Sequence, residues 1–174
     1  MQKHIAILAS MILMLVTLAA AQDPPLSPPA SSECKLRDGK TIKTDYSSPR
    51  LRGRKMIGEH DPYGKPWRMG ANEAATFVTD ASLTVGGKDV PPGSYTLFAI
   101  PNPDKWTLII NKKTGEWGIP YKYEADDLAR VDMKVSQLPS KLENFTISYE
   151  PSGAGCTMNV DWDTTRASVE ISEK

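Results

Sequence analysis

The sequence predicts an all-β fold, a single antiparallel β-sandwich or jelly-roll-like domain with two long loops, and three observations carry that prediction. From Thr41 onward, apolar and polar residues alternate with a period of two. Gly, Pro, Asn and Asp break the alternation at short intervals, as turns between short strands do. A helical period is confined to the short stretch 124–129.

The chain opens with a targeting pattern. Met1-Gln2-Lys3-His4 gives a positive start, residues 5–18 are apolar, and Ala19, Ala20 and Ala21 are small. This composition reads as a signal peptide, residues 1–21, cleaved before Gln22, because no basic stop-transfer flank follows. An uncleaved anchor is the weaker alternative. Residues 22–33 place Pro24, Pro25, Pro28 and Pro29 among Ser and Ala. Such a segment has too little apolar surface to order itself, so a flexible linker is expected there. One domain is then expected over residues 34–174, a length that allows a real core.

Strands are expected at 41–46, 76–79, 81–85, 88–90, 94–100, 105–111, 130–136, 144–150, 156–162 and 166–172. Gly86-Gly87 supplies the positive φ of a tight hairpin between the third and fourth of these. In 106–110 and 145–149, apolar positions mostly alternate with Thr and Ser, the pattern of strands with one face on a core. Two segments break the rhythm. Residues 47–75 are too long for an ordinary connection, and residues 112–129 carry Trp117, Tyr121 and Tyr123 among acidic side chains. The first loop is basic and the second acidic, so they are expected to lie near each other. Cys34 and Cys156 are the only cysteines. In an exported chain they are expected to form a disulfide closing most of the domain.

The first loop contains Tyr46-Ser47-Ser48-Pro49-Arg50-Leu51-Arg52-Gly53-Arg54-Lys55-Met56-Ile57-Gly58, then Tyr63-Gly64-Lys65-Pro66-Trp67-Arg68-Met69-Gly70-Ala71-Asn72-Glu73. These runs resemble an exported bacterial family known as domain of unknown function 2911. Residues 85–91, 93–101, 106–111 and 115–118 are similar to it as well. The resemblance implies a bacterial envelope or secreted protein, periplasmic or released, and brings no known activity, substrate or cofactor.

Composition narrows the chemistry. Lys+Arg and Asp+Glu balance at 21 each, and signal cleavage removes only Lys3 from that balance. A nearly neutral chain gives no electrostatic reason to expect nucleic acid, and no membrane span is expected after cleavage. His60 is the only histidine beyond the signal peptide, which rules out a three-histidine zinc site, and no metal or cofactor is expected. Neither Gly-x-Ser-x-Gly nor a phosphate-binding glycine loop is present. His60, between Glu59 and Asp61, reads as a solvated turn residue. The basic series Arg50, Arg52, Arg54 and Lys55 reads as a solvated edge, with anion binding as its alternative.

The sharpest constellation is Trp67-Arg68-Met69-Gly70-Ala71-Asn72-Glu73. Arg68 offers a planar fork to a carboxylate or phosphate, Asn72 and Glu73 can bond hydroxyls, and Trp67 or Trp117 can stack on a sugar face. A buried Arg68–Glu73 ion pair pinning the loop is the competing structural reading. No catalytic residue is assigned. The leading expectation is a non-enzymatic exported domain binding a small polar or carbohydrate-like ligand, or an envelope component, through Trp67, Arg68, Asn72, Glu73 and Trp117. The alternatives are a glycan hydrolase pairing Glu73 with Glu59, Glu116 or Asp127, and a purely structural envelope module.

Overall fold

The computed structural model describes residues 25–174, and the expected signal peptide lies outside the described residues. Nine strands form one antiparallel sheet: β1 (Pro29–Lys35), β2 (Thr41–Ser47), β3 (Ala75–Thr79), β4 (Leu83–Val85), β5 (Lys88–Val90), β6 (Gly93–Ile100), β7 (Lys105–Asn111), β8 (Asp127–Ser152) and β9 (Gly155–Glu173). Their order is β1-β2-β3-β6-β7-β8-β9-β4-β5. The only helical element among the described residues is a 3-10 turn, Glu124–Asp126. The all-β antiparallel expectation therefore holds, with the layers of the expected sandwich provided by one continuous sheet that curls back on itself.

Contacts between distant strands show the curl. The Cys34–Cys156 disulfide joins β1 to β9 across a sequence separation of 122. Tyr149 of β8 and Thr44 of β2 share a hydroxyl hydrogen bond of 2.6 Å, and the Tyr46 hydroxyl accepts from the Ile147 amide. Between these walls lie Phe77, Leu97, Trp106, Leu108, Phe145, Met158, Val160 and Trp162, all at most 1% exposed.

β1 corrects one expectation, since it begins inside the segment 22–33 read as a flexible linker. Pro29 pairs with Ser47, and the ladder runs to Lys35 opposite Thr41. Composition misled here because β1 lies at the border of the sheet. A proline at the first residue of an edge strand costs no essential ladder bond, and the buried Cys34 fixes the strand covalently to the core.

β6 and β7 are buried over most of their length, so they read as apolar runs rather than clean alternations. Their second face is covered by the loop 112–126. Tyr121 and Tyr123 pack there on Phe98, with ring centroids 4.8 and 6.1 Å from it, and Ile109 joins the same cluster.

β9 cannot be straight. At about 3.3 Å per residue, Thr157 and Glu170 of an extended strand would be tens of ångströms apart, yet their side chains hydrogen-bond at 2.7 Å. Asn159 accepts from Ser168 at 2.8 Å, and Asp161 takes two bonds from Arg166 at 2.8 and 2.6 Å. The strand therefore doubles back at Asp163, whose φ is 56°, and its two halves lie side by side. They match the two separate strands expected at 156–162 and 166–172. β8 pairs with both halves and arches round the reversal, which accounts for its register shifts between Gln137 and Thr146. A Cβ on Gly155 would sit 1.9 Å from the Ile171 carbonyl oxygen. Gly155→Ala is thus expected to force the halves apart and to lower stability by about 3 kcal/mol. A urea titration checks this, and an unchanged midpoint would refute the close approach.

Candidate functional site

The first long loop is ordered by backbone bonds to β8 and β6 and by a turn of its own. Its entry pairs with β8, Phe145 donating to the Pro49 carbonyl and Leu51 to that of Glu143. Arg52 and Gly53 follow at φ of 50° and 73°, and this tight reversal sends the chain outward. The next turn closes where Asp61 donates to the Met56 carbonyl at 2.8 Å and accepts from the Gly58 amide at 2.9 Å. Trp67 then exchanges both backbone bonds with Ala99 of β6, at 2.7 and 2.8 Å.

This path surrounds a cavity of about 380 Å³, whose wall includes Arg50, Arg52, Arg54, Arg68, His60 and Asp61. Trp67 forms its floor, buried in parallel stacking on Trp162 at 5.6 Å and edge-on to Phe145 at 4.9 Å. Two of the arginines are held in place by polar contacts to backbone carbonyls, with no ion pair among the described residues. Arg54 donates to the carbonyls of Leu51 and Arg50 at 3.0 and 3.1 Å. Arg68 donates to the Trp117 carbonyl at 3.4 Å, and its guanidinium lies 5.1 Å from the Trp117 ring centroid. Among the described residues the arginines engaged in ion pairs are Arg130 and Arg166, both remote from this wall. Asp61 is the single carboxylate lining the cavity.

Burial shifts both signs of charge here. Desolvation lowers the Arg68 pKa from its ordinary value, with Asp61 and Glu73 pulling the other way. Desolvation likewise raises Asp61 above the usual carboxylate value, and the neighbouring His60, Arg68 and Arg54 oppose it. Each group would gain from a counter-charge the protein does not fully supply.

The expected constellation is only partly brought together. Trp67 and Arg68 line the cavity, and Trp117 stands beside Arg68 with 55% of its surface exposed. Asn72 and Glu73 are exposed and do not line the cavity. Met69 and Asn72 at φ of 51° and 60°, with Gly70 between them, reverse the chain, so neighbours in sequence diverge in space. Asn72 instead donates to the Ser47 hydroxyl at 3.2 Å. No Arg68–Glu73 ion pair forms among the described residues, so the competing clamp is not how this loop is held. Arg50, Arg52 and Arg54 line the cavity, and Arg52, Arg54 and Lys55 keep the solvent exposure expected of a solvated edge. His60 keeps the exposure expected of a turn residue yet reaches within 3.7 Å of Asp61. The signal for this site was the density of arginine in one loop of a neutral chain.

The two loops meet as expected, without an ion pair between them among the described residues. Ala74 donates to the Glu116 carbonyl at 3.1 Å. Gly118 fits between them at φ of 90°, where a Cβ would lie 3.0 Å from Ala74 and Phe98 and 3.1 Å from Arg68. The acidic groups of the second loop are used nearby: Asp127 holds Tyr121, Asn111 and Arg130, and Glu116 pairs with Lys113.

Residues 27–171 match the family described as Protein of unknown function (DUF2911). The chain belongs to the DUF2911 family. No curated protein and no solved structure matches it. The match begins just before β1 and ends within β9, so every residue lining the arginine-rich cavity except Leu26 lies inside the DUF2911 region. Among the described residues no group of three or more His, Cys, Asp or Glu could hold a metal ion.

Proposed function

We propose that this DUF2911 protein is an exported, non-enzymatic binding protein that holds a small anionic ligand, a carboxylate or phosphate, in the arginine-lined cavity. One observation carries the reading: Arg50, Arg52, Arg54 and Arg68 face a single cavity in a chain of net charge +0, without ion-pair partners among the described residues. Burial penalises the Arg68 charge, and an anionic ligand would offset that penalty while the other three guanidinium groups add attraction at the rim. Arginine's fork suits carboxylate and phosphate oxygens, and bonds to charged groups are the stronger kind. The buried disulfide and the apolar start of the chain support export, to the periplasm or outside the cell.

Calorimetric titration with inorganic phosphate, sulfate and a short dicarboxylate at low salt tests this. Saturable binding is expected, weakened about tenfold or more in Arg68→Gln. Absence of saturable binding by all three anions would overturn the proposal.

Asp61 gives it a pH signature. Its folded pKa is raised, so just above the ordinary value of 3.8 the folded chain keeps a proton the unfolded chain has released. Stability therefore falls as pH rises through that window, and anion affinity falls with it as a negative charge appears in the wall. Asp61→Asn is expected to flatten the affinity profile above the ordinary carboxylate range and to tighten binding at neutral pH. An unaltered profile would exclude Asp61 as its source.

A further inference from the structure

We infer that the ligand of this cleft is an amphiphilic anion, a carboxylate or phosphate joined to an apolar tail, and that the tail lies along a second chamber beside the arginines. The inference rests on the anion-binding reading above and extends it.

His60, Asp61, Trp67 and Ile119 line the first cavity and also a second of about 320 Å³, whose other lining residues are Pro62, Lys65 and Pro66. The two spaces share a wall and differ in chemistry. The first concentrates four guanidinium groups, and the second is formed mainly by prolines, Trp67 and Ile119. A ligand spanning both meets the guanidinium groups at one end and, beside Lys65, the apolar surface of Pro62, Pro66, Trp67 and Ile119 at the other.

The rim points the same way. Five large apolar side chains stand exposed among the described residues: Leu26, Tyr63, Val78, Trp117 and Ile119. Leu26, at 67%, and Ile119, at 43%, line the cavity itself, and Trp117 flanks Arg68. Exposed apolar groups gathered around one opening mark a binding surface, whereas isolated ones elsewhere need no explanation. An inorganic ion would leave this rim uncovered. A sugar acid would meet few hydroxyl partners, because Asn72 and Glu73 do not line either cavity. Charge complementarity fixes the head group, and the rim fixes the tail.

The test compares octyl phosphate, below its micellar concentration, with inorganic phosphate and 1-octanol on the purified protein. Burial of two methylenes is worth roughly tenfold in affinity, so octyl phosphate is expected to bind at least about tenfold more tightly than inorganic phosphate and far more tightly than 1-octanol. In the double variant Leu26→Ser/Ile119→Ser, both at exposed positions, that preference ratio is expected to fall towards one. Equal affinity for octyl phosphate and inorganic phosphate would overturn the amphiphile and leave the anion site standing. A preference retained in the double variant, or matched by 1-octanol, would overturn the assigned tail path. No binding of either phosphate would overturn the inference, and the anion reading would fall with it if sulfate and the dicarboxylate also fail to bind. Binding to phosphatidylglycerol vesicles without binding of octyl phosphate would overturn the inference in favour of a membrane surface.

Discussion

A Cys34→Ser/Cys156→Ser variant is expected to lose about 4–5 kcal/mol of stability, because the disulfide removes loop-closure entropy from an unfolded chain over a separation of 122 residues. The bond does more than shorten the unfolded ensemble. It joins β1, at one border of the sheet, to the start of β9, and both sulfurs are buried at 4% and 2% exposure. Reductant acting on the folded protein is therefore expected to have little effect until unfolding exposes the bond. Urea titrations of the variant and the parent protein measure the difference, and an increased m-value should accompany the loss as the denatured state expands. A loss below about 1 kcal/mol would mean that the β1–β2 ladder alone holds the border strand in place.

Trp67→Ala is expected to cost about 3–5 kcal/mol, the range for truncating a buried aromatic. The indole stacks on Trp162 and meets Phe145 and Trp106 edge-on at 4.9 and 6.2 Å. Its removal opens the core to the cavity above and withdraws the floor on which the arginine wall stands. Anion affinity is expected to fall in the same variant although Trp67 carries no charge. Far-UV circular dichroism in urea reads the stability, since tryptophan fluorescence changes with the substitution itself. A cost near zero would show that Trp162 and Phe145 close over the space.

Period-two patterning located most of the sheet because half-buried strands must alternate. Gly86-Gly87 marked its hairpin because few other residues accept those backbone angles. The reversal at Asp163 was foreshadowed by a gap between two expected strands. The pairing of its halves was not legible, since in-plane neighbours are set by long-range register rather than by local composition. β1 was missed for a related reason, as four prolines outweighed a short ladder that a distant cysteine stabilises.

The cavity was legible in part. Trp67 and Arg68 could be singled out because an aromatic and a fixed cation side by side are informative at any geometry. Asn72 and Glu73 were grouped with them by proximity along the chain, which carries no meaning once residues at positive φ turn the backbone. Arg50, Arg52 and Arg54 would lie on one face of a strand. Only the reversal at Arg52-Gly53 wraps them round a common space.

The sheet ends on β1 at one side and β5 at the other. β5 is only three residues long and runs into Pro91 and Pro92. β1 starts at Pro29, just after Pro28, and exposes Glu33 and Lys35. Borders that are short, charged or proline-blocked are poor templates for an added strand. Crowded copies of this chain therefore find no long bare row of amides to extend. Self-association by strand addition is disfavoured.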